Sequence, residues 1–204
     1  MRQTPVLLAA CLSLLASAAA AQADEAAKIN DFARRMFATR SFEQKTTACF
    51  VRTYDAAHLA RHAKQTVSAM KMLISAEKLE GDTSLNYAFK LSAKFRNRKG
   101  DYAAAMDCGY AYMSEVKREG VRVSCKDSCE GGGLEIALAP DSKAVIVKLD
   151  SIGMWLADNP QDESGQFALN AGADDKVFRL ERVDNDLCKS LVERVDEVAA
   201  LQAQ

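Results

Sequence analysis

The spacing of apolar residues along the chain changes period twice. Over residues 24–42, Ile29, Phe32, Ala33, Met36 and Phe37 recur at intervals of three and four, which predicts a short amphipathic helix. A further helical turn or two is predicted over 55–63, with Asp55 placed to cap it. Beyond Thr66 the period becomes two. From 85 to 98, Leu85, Tyr87, Phe89, Leu91, Ala93 and Phe95 alternate with polar or small residues, giving one apolar and one solvated face, as an antiparallel sheet over a core requires. Residues 67–76 are apolar enough to form the strand before it. After the turn Arg98-Lys99-Gly100-Asp101, Tyr102, Ala104, Met106, Cys108, Tyr110 and Tyr112 are predicted to line one face of the next strand.

Shorter strand candidates follow at 121–125, 134–139, 144–149, 152–156, 167–170 and 176–183, separated by turn chemistry such as Gly131-Gly132-Gly133 and Pro140-Asp141-Ser142. From 184 onward Leu187, Leu191, Val192, Val195 and Val198 return to helical spacing. About eight or nine strands in a meander close into a barrel more readily than they form an open sheet, because closure removes exposed edges. The expectation is a mainly β fold. It is a small antiparallel, calycin-like barrel over 66–183, with a helical segment over 24–65 before it and a helix over 184–204 after it.

The start of the chain changes which residues belong to that fold. Arg2 provides a positive n-region, residues 6–15 are nearly all apolar, and Ala21-Gln22-Ala23 is a small-x-small cleavage pattern. Residues 1–23 therefore read as a signal peptide, cut between Ala23 and Asp24, and the mature chain is expected in the periplasm or outside the cell. The apolar run is shorter than the roughly 20 residues a bilayer requires, so no membrane span is expected in the mature chain. Leu8-Ala9-Ala10-Cys11 has the look of a lipidation box, but Leu12, Leu14 and Leu15 continue the apolar run past it. Removing Arg2 from the 27 basic residues leaves 26 against 28 acidic ones, a balance that excludes bulk nucleic-acid binding.

Export makes the cysteines candidates for oxidation. Cys49, Cys108, Cys125, Cys129 and Cys188 follow the leader, an odd number that leaves one thiol over. Cys108 and Cys125 flank a predicted hairpin turn at equal distance and are the first pairing. Cys129 with Cys188 is the second, leaving Cys49 spare; Cys49 with Cys188 and Cys125 with Cys129 stay open.

Candidate chemistry is sparse. No nucleophile elbow, phosphate-binding loop or dinucleotide fingerprint occurs, and no cofactor is predicted. His58 and His62 lie four apart, so one helix face would carry both imidazoles, and a further functional alternative is metal or haem binding through them, with Cys49, Asp55 or a distant carboxylate as third ligand of a metal. Lys90, Lys94, Arg96 and Arg98, extended by Lys99, form a basic stripe on one side of a predicted strand. Such a stripe suits an acidic envelope protein or an anionic envelope polymer. Tyr87, Phe89, Phe95, Tyr102, Tyr110 and Tyr112 are expected to face the barrel interior, as core or as the wall of an apolar ligand site.

Three segments carry a resemblance: Tyr54-Asp55-Ala56-Ala57-His58-Leu59-Ala60-Arg61-His62 following Cys49, the Cys125-Lys126-Asp127-Ser128-Cys129-Glu130-Gly131-Gly132-Gly133 turn, and Val177-Phe178-Arg179-Leu180. Together they resemble a group of exported alphaproteobacterial proteins of unassigned function. The resemblance implies an exported, disulfide-bearing β fold and no particular activity. Two function classes follow from the sequence: a non-catalytic, protein-facing or envelope-maintenance role through loops and the basic stripe, or a small-molecule or lipid-binding module using the barrel interior.

Overall fold

The computed structural model describes residues 6–113, 120–126 and 132–192, with side chains of the first helix described from Gln22 onward. A helix α1 (Val6–Phe37) leads into strand β1 (Thr46–Thr53), a short helix α2 (Ala56–Arg61), and strands β2 (Val67–Glu77), β3 (Asn86–Phe95) and β4 (Tyr102–Met113). Then come β5 (Val121–Lys126), β6 (Gly133–Leu138), β7 (Ala144–Leu156), β8 (Phe167–Asn170) and β9 (Val177–Val183), followed by a 3-10 turn at Asn185–Cys188. Residues 189–192 then begin a helix.

Every pairing is antiparallel. β1 to β7 join in sequence order, and β9 closes the ring by pairing with β7 on one side and β1 on the other. β8 adds only to the far half of β7. An eight-stranded ring leaves an interior just wide enough for side chains to fill. Phe50, Met72, Ile74, Phe89, Leu91, Ile136, Phe178 and Leu180 are fully buried in one continuous cluster there.

Three sequence expectations are corrected. Residues 46–53, assigned to the N-terminal helical segment, form β1, so the barrel begins at Thr46 rather than at 66. The separate strands at 144–149 and 152–156 are one strand, β7, whose first half pairs with β6 and β9 and whose second half pairs with β8. On β4 the inward face switches parity. Tyr87 pairs with Gly109 and Ala88 with Asp107, so Cys108 is an extra residue in a bulge, and Gly109 adopts φ +67° there. Beyond the bulge Ala111 turns inward, Tyr110 is 51% exposed, and the Tyr112 hydroxyl donates to Glu135 Oε1 at 3.1 Å, so of the six aromatics expected inside, Tyr87, Phe89, Phe95 and Tyr102 face inward.

The two mouths are closed differently. At one, Phe32, Met36 and Phe37 of α1 are buried, and Phe32 and Phe37 place their rings 6.4 and 6.1 Å from that of Tyr87. The Arg182 guanidinium donates to the carbonyls of Met36, Arg35 and Ser142 at 2.9, 3.1 and 3.0 Å and lies 4.8 Å from the Phe50 ring centre. It thereby satisfies carbonyls at the C-terminal end of α1, where a helix has no partners of its own; burial lowers its pKa. At the other mouth Phe95, Tyr102 and Phe167 meet edge to face at 5.1 to 5.5 Å, and Arg96, next to Phe95, bonds to Leu59 O of α2 and to Thr66 O of the loop after it. No helix among the described residues is long and apolar enough to cross a membrane.

Cys108 bonds to Cys125, as the hairpin spacing predicted. The second bridge is Cys49–Cys188, which corrects the pairing of Cys129 with Cys188 and the assignment of Cys49 as the spare thiol. Cys129 lies outside the described residues, as do 114–119, 127–131 and 193–204. Two disulfides indicate that the chain folds in an oxidising, extracytoplasmic setting.

Candidate binding surface outside the barrel

The outward positions of β1 to β4 form a regular grid. Successive cross-strand rows read Thr47, Ser75, Ala88, Asp107; then Cys49, Leu73, Lys90, Ala105; then Val51, Lys71, Ser92, Ala103; and Thr53, Ala69, Lys94. An outward face is ordinarily covered by large polar side chains. Here Ala69, Ser75, Ala88, Ser92, Ala103 and Ala105 leave a low floor from which three lysines rise.

The C-terminal segment crosses this floor. Cys188 is bonded to Cys49, and Leu191 packs with Leu73 in a small buried cluster, edged by Val51 and Val183, that is separate from the interior core. Asn185 extends the pairing of β9 with β1 by side chain alone: its Nδ2 donates to Thr47 O and its Oδ1 accepts from Cys49 N, both at 3.0 Å. The register explains this, because Cys49 pairs with Val183 and Asn185 falls one rung further on, opposite Thr47.

A groove remains on each side of the crossing segment. One, of about 380 Å³, is lined by Lys71, Lys94, Ser92, Ala103 and Asp101 with Leu187 and Leu191. The other, of about 450 Å³, is lined by Lys45, Lys90, Ser75, Ala88, Ala105 and Asp107 with Val192. Lys94 pairs with Asp101 at 3.4 Å and Lys45 with Glu77 at 3.4 Å, both exposed pairs that hold their partners weakly. Lys71 has no ion-pair partner among the described residues. Ammonium groups outnumber carboxylates in both grooves.

The predicted basic stripe is only partly assembled. Lys90 and Lys94 stand on this face, but β3 ends at Phe95. Beyond it Arg96 turns back to donate to Leu59 O at 3.2 Å, and the Arg98 guanidinium sits 4.0 Å from the Phe167 ring centre. Lys99 is exposed in the following turn. The residue that joins Lys90 and Lys94 is Lys71, on the neighbouring strand opposite Ser92. The signal for it was the small residues spaced between larger ones on the outward positions, Ala69 and Ser75 around Lys71 and Leu73 on β2, and Ala88 and Ser92 alternating with lysines on β3.

His58 and His62 do not form a metal pair. Their rings stack at 4.3 Å with 20° between planes, and Tyr54 stacks on His58 at 4.6 Å. Imidazole lone pairs lie in the ring plane, so near-parallel rings about 4 Å apart cannot converge on one ion about 2 Å from each nitrogen. Gln65 donates its amide to Val67 O at 2.8 Å, so its Oε1 accepts from His58 Nε2 at 3.0 Å. His62 Nδ1 faces Asp174 at 3.8 Å. The expected third ligands are committed elsewhere: Asp55 accepts from His58 N at 2.6 Å as helix cap, and Cys49 is oxidised. Among the described residues no group of three or more His, Cys, Asp or Glu could hold a metal ion. The histidines instead belong to the closure of the α2 mouth, beside a fully used carboxylate. Asp175, 3% exposed, accepts from Thr66 N, Thr66 Oγ1 and Val67 N at 2.6, 2.5 and 3.3 Å. No protein-family model, curated protein or solved structure matches this chain.

Proposed function

We propose that this is a non-catalytic protein of the periplasm, released from its leader between Ala23 and Asp24, that docks an acidic segment of another envelope protein on the outer face of β1 to β4. The observation that carries this reading is the floor of small side chains beneath Lys71, Lys90 and Lys94. It gives an extended chain room to lie close to the sheet while ammonium groups meet its carboxylates. The packed interior supports the same reading, since an eight-stranded barrel filled by Phe50, Phe89 and Phe178 keeps little room for cargo. The two grooves offer mostly lysine and small side chains, with no histidine or cysteine thiol beside them.

The test is binding of a short polyglutamate peptide, followed by fluorescence anisotropy at low and at physiological salt. Reversing Lys71, Lys90 and Lys94 to Glu is expected to weaken binding at least about tenfold, with steep salt dependence in the parent protein. Reversing Lys143, Lys148 and Lys176, elsewhere on the barrel, is expected to change it much less. Equal losses from both triple variants would reduce the effect to net charge and sink the proposal.

A further inference from the structure

α1 lies across its mouth of the barrel without sealing it. Between the helix and the rim is a crevice of about 340 Å³, lined on one part by Ile29, Ala33, Phe42, Leu85 and Tyr87 and on another by Asn30, Lys78, Thr83 and Ser84. Tyr87 is 2% exposed, and its hydroxyl is buried with no hydrogen-bond partner. All of these residues follow the Ala23–Asp24 junction.

A buried hydroxyl without a partner is a standing cost to the fold. The polar side chains along the crevice do not relieve it, because Asn30, Lys78, Thr83 and Ser84 leave the Tyr87 hydroxyl without a bond. The volume falls within the range of small-molecule sites, which combine apolar walls with a few placed polar groups. We infer that the crevice binds a small, largely apolar molecule carrying one oxygen acceptor, with the Tyr87 hydroxyl donating to that oxygen. The site is independent of the lysine face, and neither requires the other.

The probes are acetophenone and ethylbenzene, which share a shape but differ in the carbonyl, titrated into the disulfide-intact mature protein and followed by NMR. Acetophenone is expected to bind saturably at one site, shifting Ile29, Ala33 and Leu85. Tyr87→Phe is expected to weaken acetophenone about tenfold, to the level of ethylbenzene, because only the ketone uses the hydroxyl. Ile29→Trp, or Ala26→Phe on the same wall should the first fail to fold, fills the crevice and abolishes binding of both. The inference is overturned by the absence of saturable acetophenone shifts, by shifts that survive a filling variant, or by an affinity indifferent to Tyr87→Phe.

Discussion

The two mouths of the barrel solve the same problem with different chemistry. At the α2 mouth hydrogen bonds tie the closing segments together: Asp175 takes three, Gln65 joins His58 to the chain at Val67, and three aromatic rings pack beside them, although Arg52 Nε and Trp155 Nε1 are buried there without partners. At the α1 mouth a helix is laid across and held by Arg182, while Tyr87 remains unpaired beside an open crevice. Tyrosine makes the contrast direct. Burial raises the pKa of both Tyr54 and Tyr87, but at Tyr54 the Arg52 guanidinium pulls it back, and at Tyr87 nothing does. A mouth tied by a cluster of bonds to one carboxylate is fixed in place, whereas one with an unpaired donor beside a crevice and a cover held by Arg182 keeps a binding option.

The comparison is broken most sharply at Asp175. Asp175→Ala leaves three donors at the α2 mouth without their acceptor and is expected to cost about 3 kcal/mol, a fall in Tm of roughly 6–12 °C for a chain of this size. A thermal melt showing a fall below about 2 °C would mean that the α2 mouth is not held by its polar pairs. Arg182→Ala is expected to cost about 2 kcal/mol, with much of the effect local. Hydrogen exchange should quicken in α1 before it does in β2 and β3, and uniform acceleration would show that α1 is not a separable cover. His58→Ala removes one hydrogen bond and two ring contacts at the α2 mouth, about 1 kcal/mol by denaturant unfolding.

The smallest effect is expected at Tyr87 and carries the opposite sign. Tyr87→Phe without ligand should be neutral or stabilising by up to about 1 kcal/mol, because it removes an unpaired donor. The same variant has a pH signature. With its pKa raised in the folded state, Tyr87 is neutral in both states below about pH 10, so its contribution to stability is undiminished there. Above that the unfolded chain ionises first, and stability falls by about 1.4 kcal/mol per pH unit until the folded-state pKa is passed. Tyr87→Phe should flatten that alkaline loss; identical alkaline unfolding curves would remove the contrast with Tyr54.

Much of the architecture was legible because most strands have one wet face. β3, with strict alternation and a solvated outer side, was read within a few residues of its ends. β1 was not, because both of its faces are covered: Ala48 and Phe50 point inward, while Cys49 and Val51 are covered by the C-terminal segment, so no period-two signal survives. That miss carried the second disulfide with it, since Cys49 had no strand to place it near Cys188. The parity switch on β4 had a visible cue in Gly109, a glycine inside a strand, which marks a bulge more often than a regular rung. The lysine face could not be assembled from one strand, because its members meet only through the register of β2 against β3.

Barrel closure by β9 against β1 has a kinetic meaning. The two strands that complete the ring are separated by the rest of the β domain, and the Cys49–Cys188 bridge spans 139 residues. Sequence-distant pairings of this kind set a high contact order, and the meander from β1 to β7 can zip locally long before its last edge is covered. Until β9 arrives, β1 presents an open strand edge to any neighbouring chain. The Asn185 rung and the bridge beside it fasten that long-range pairing, so the β1 edge is covered only once the C-terminal segment has docked.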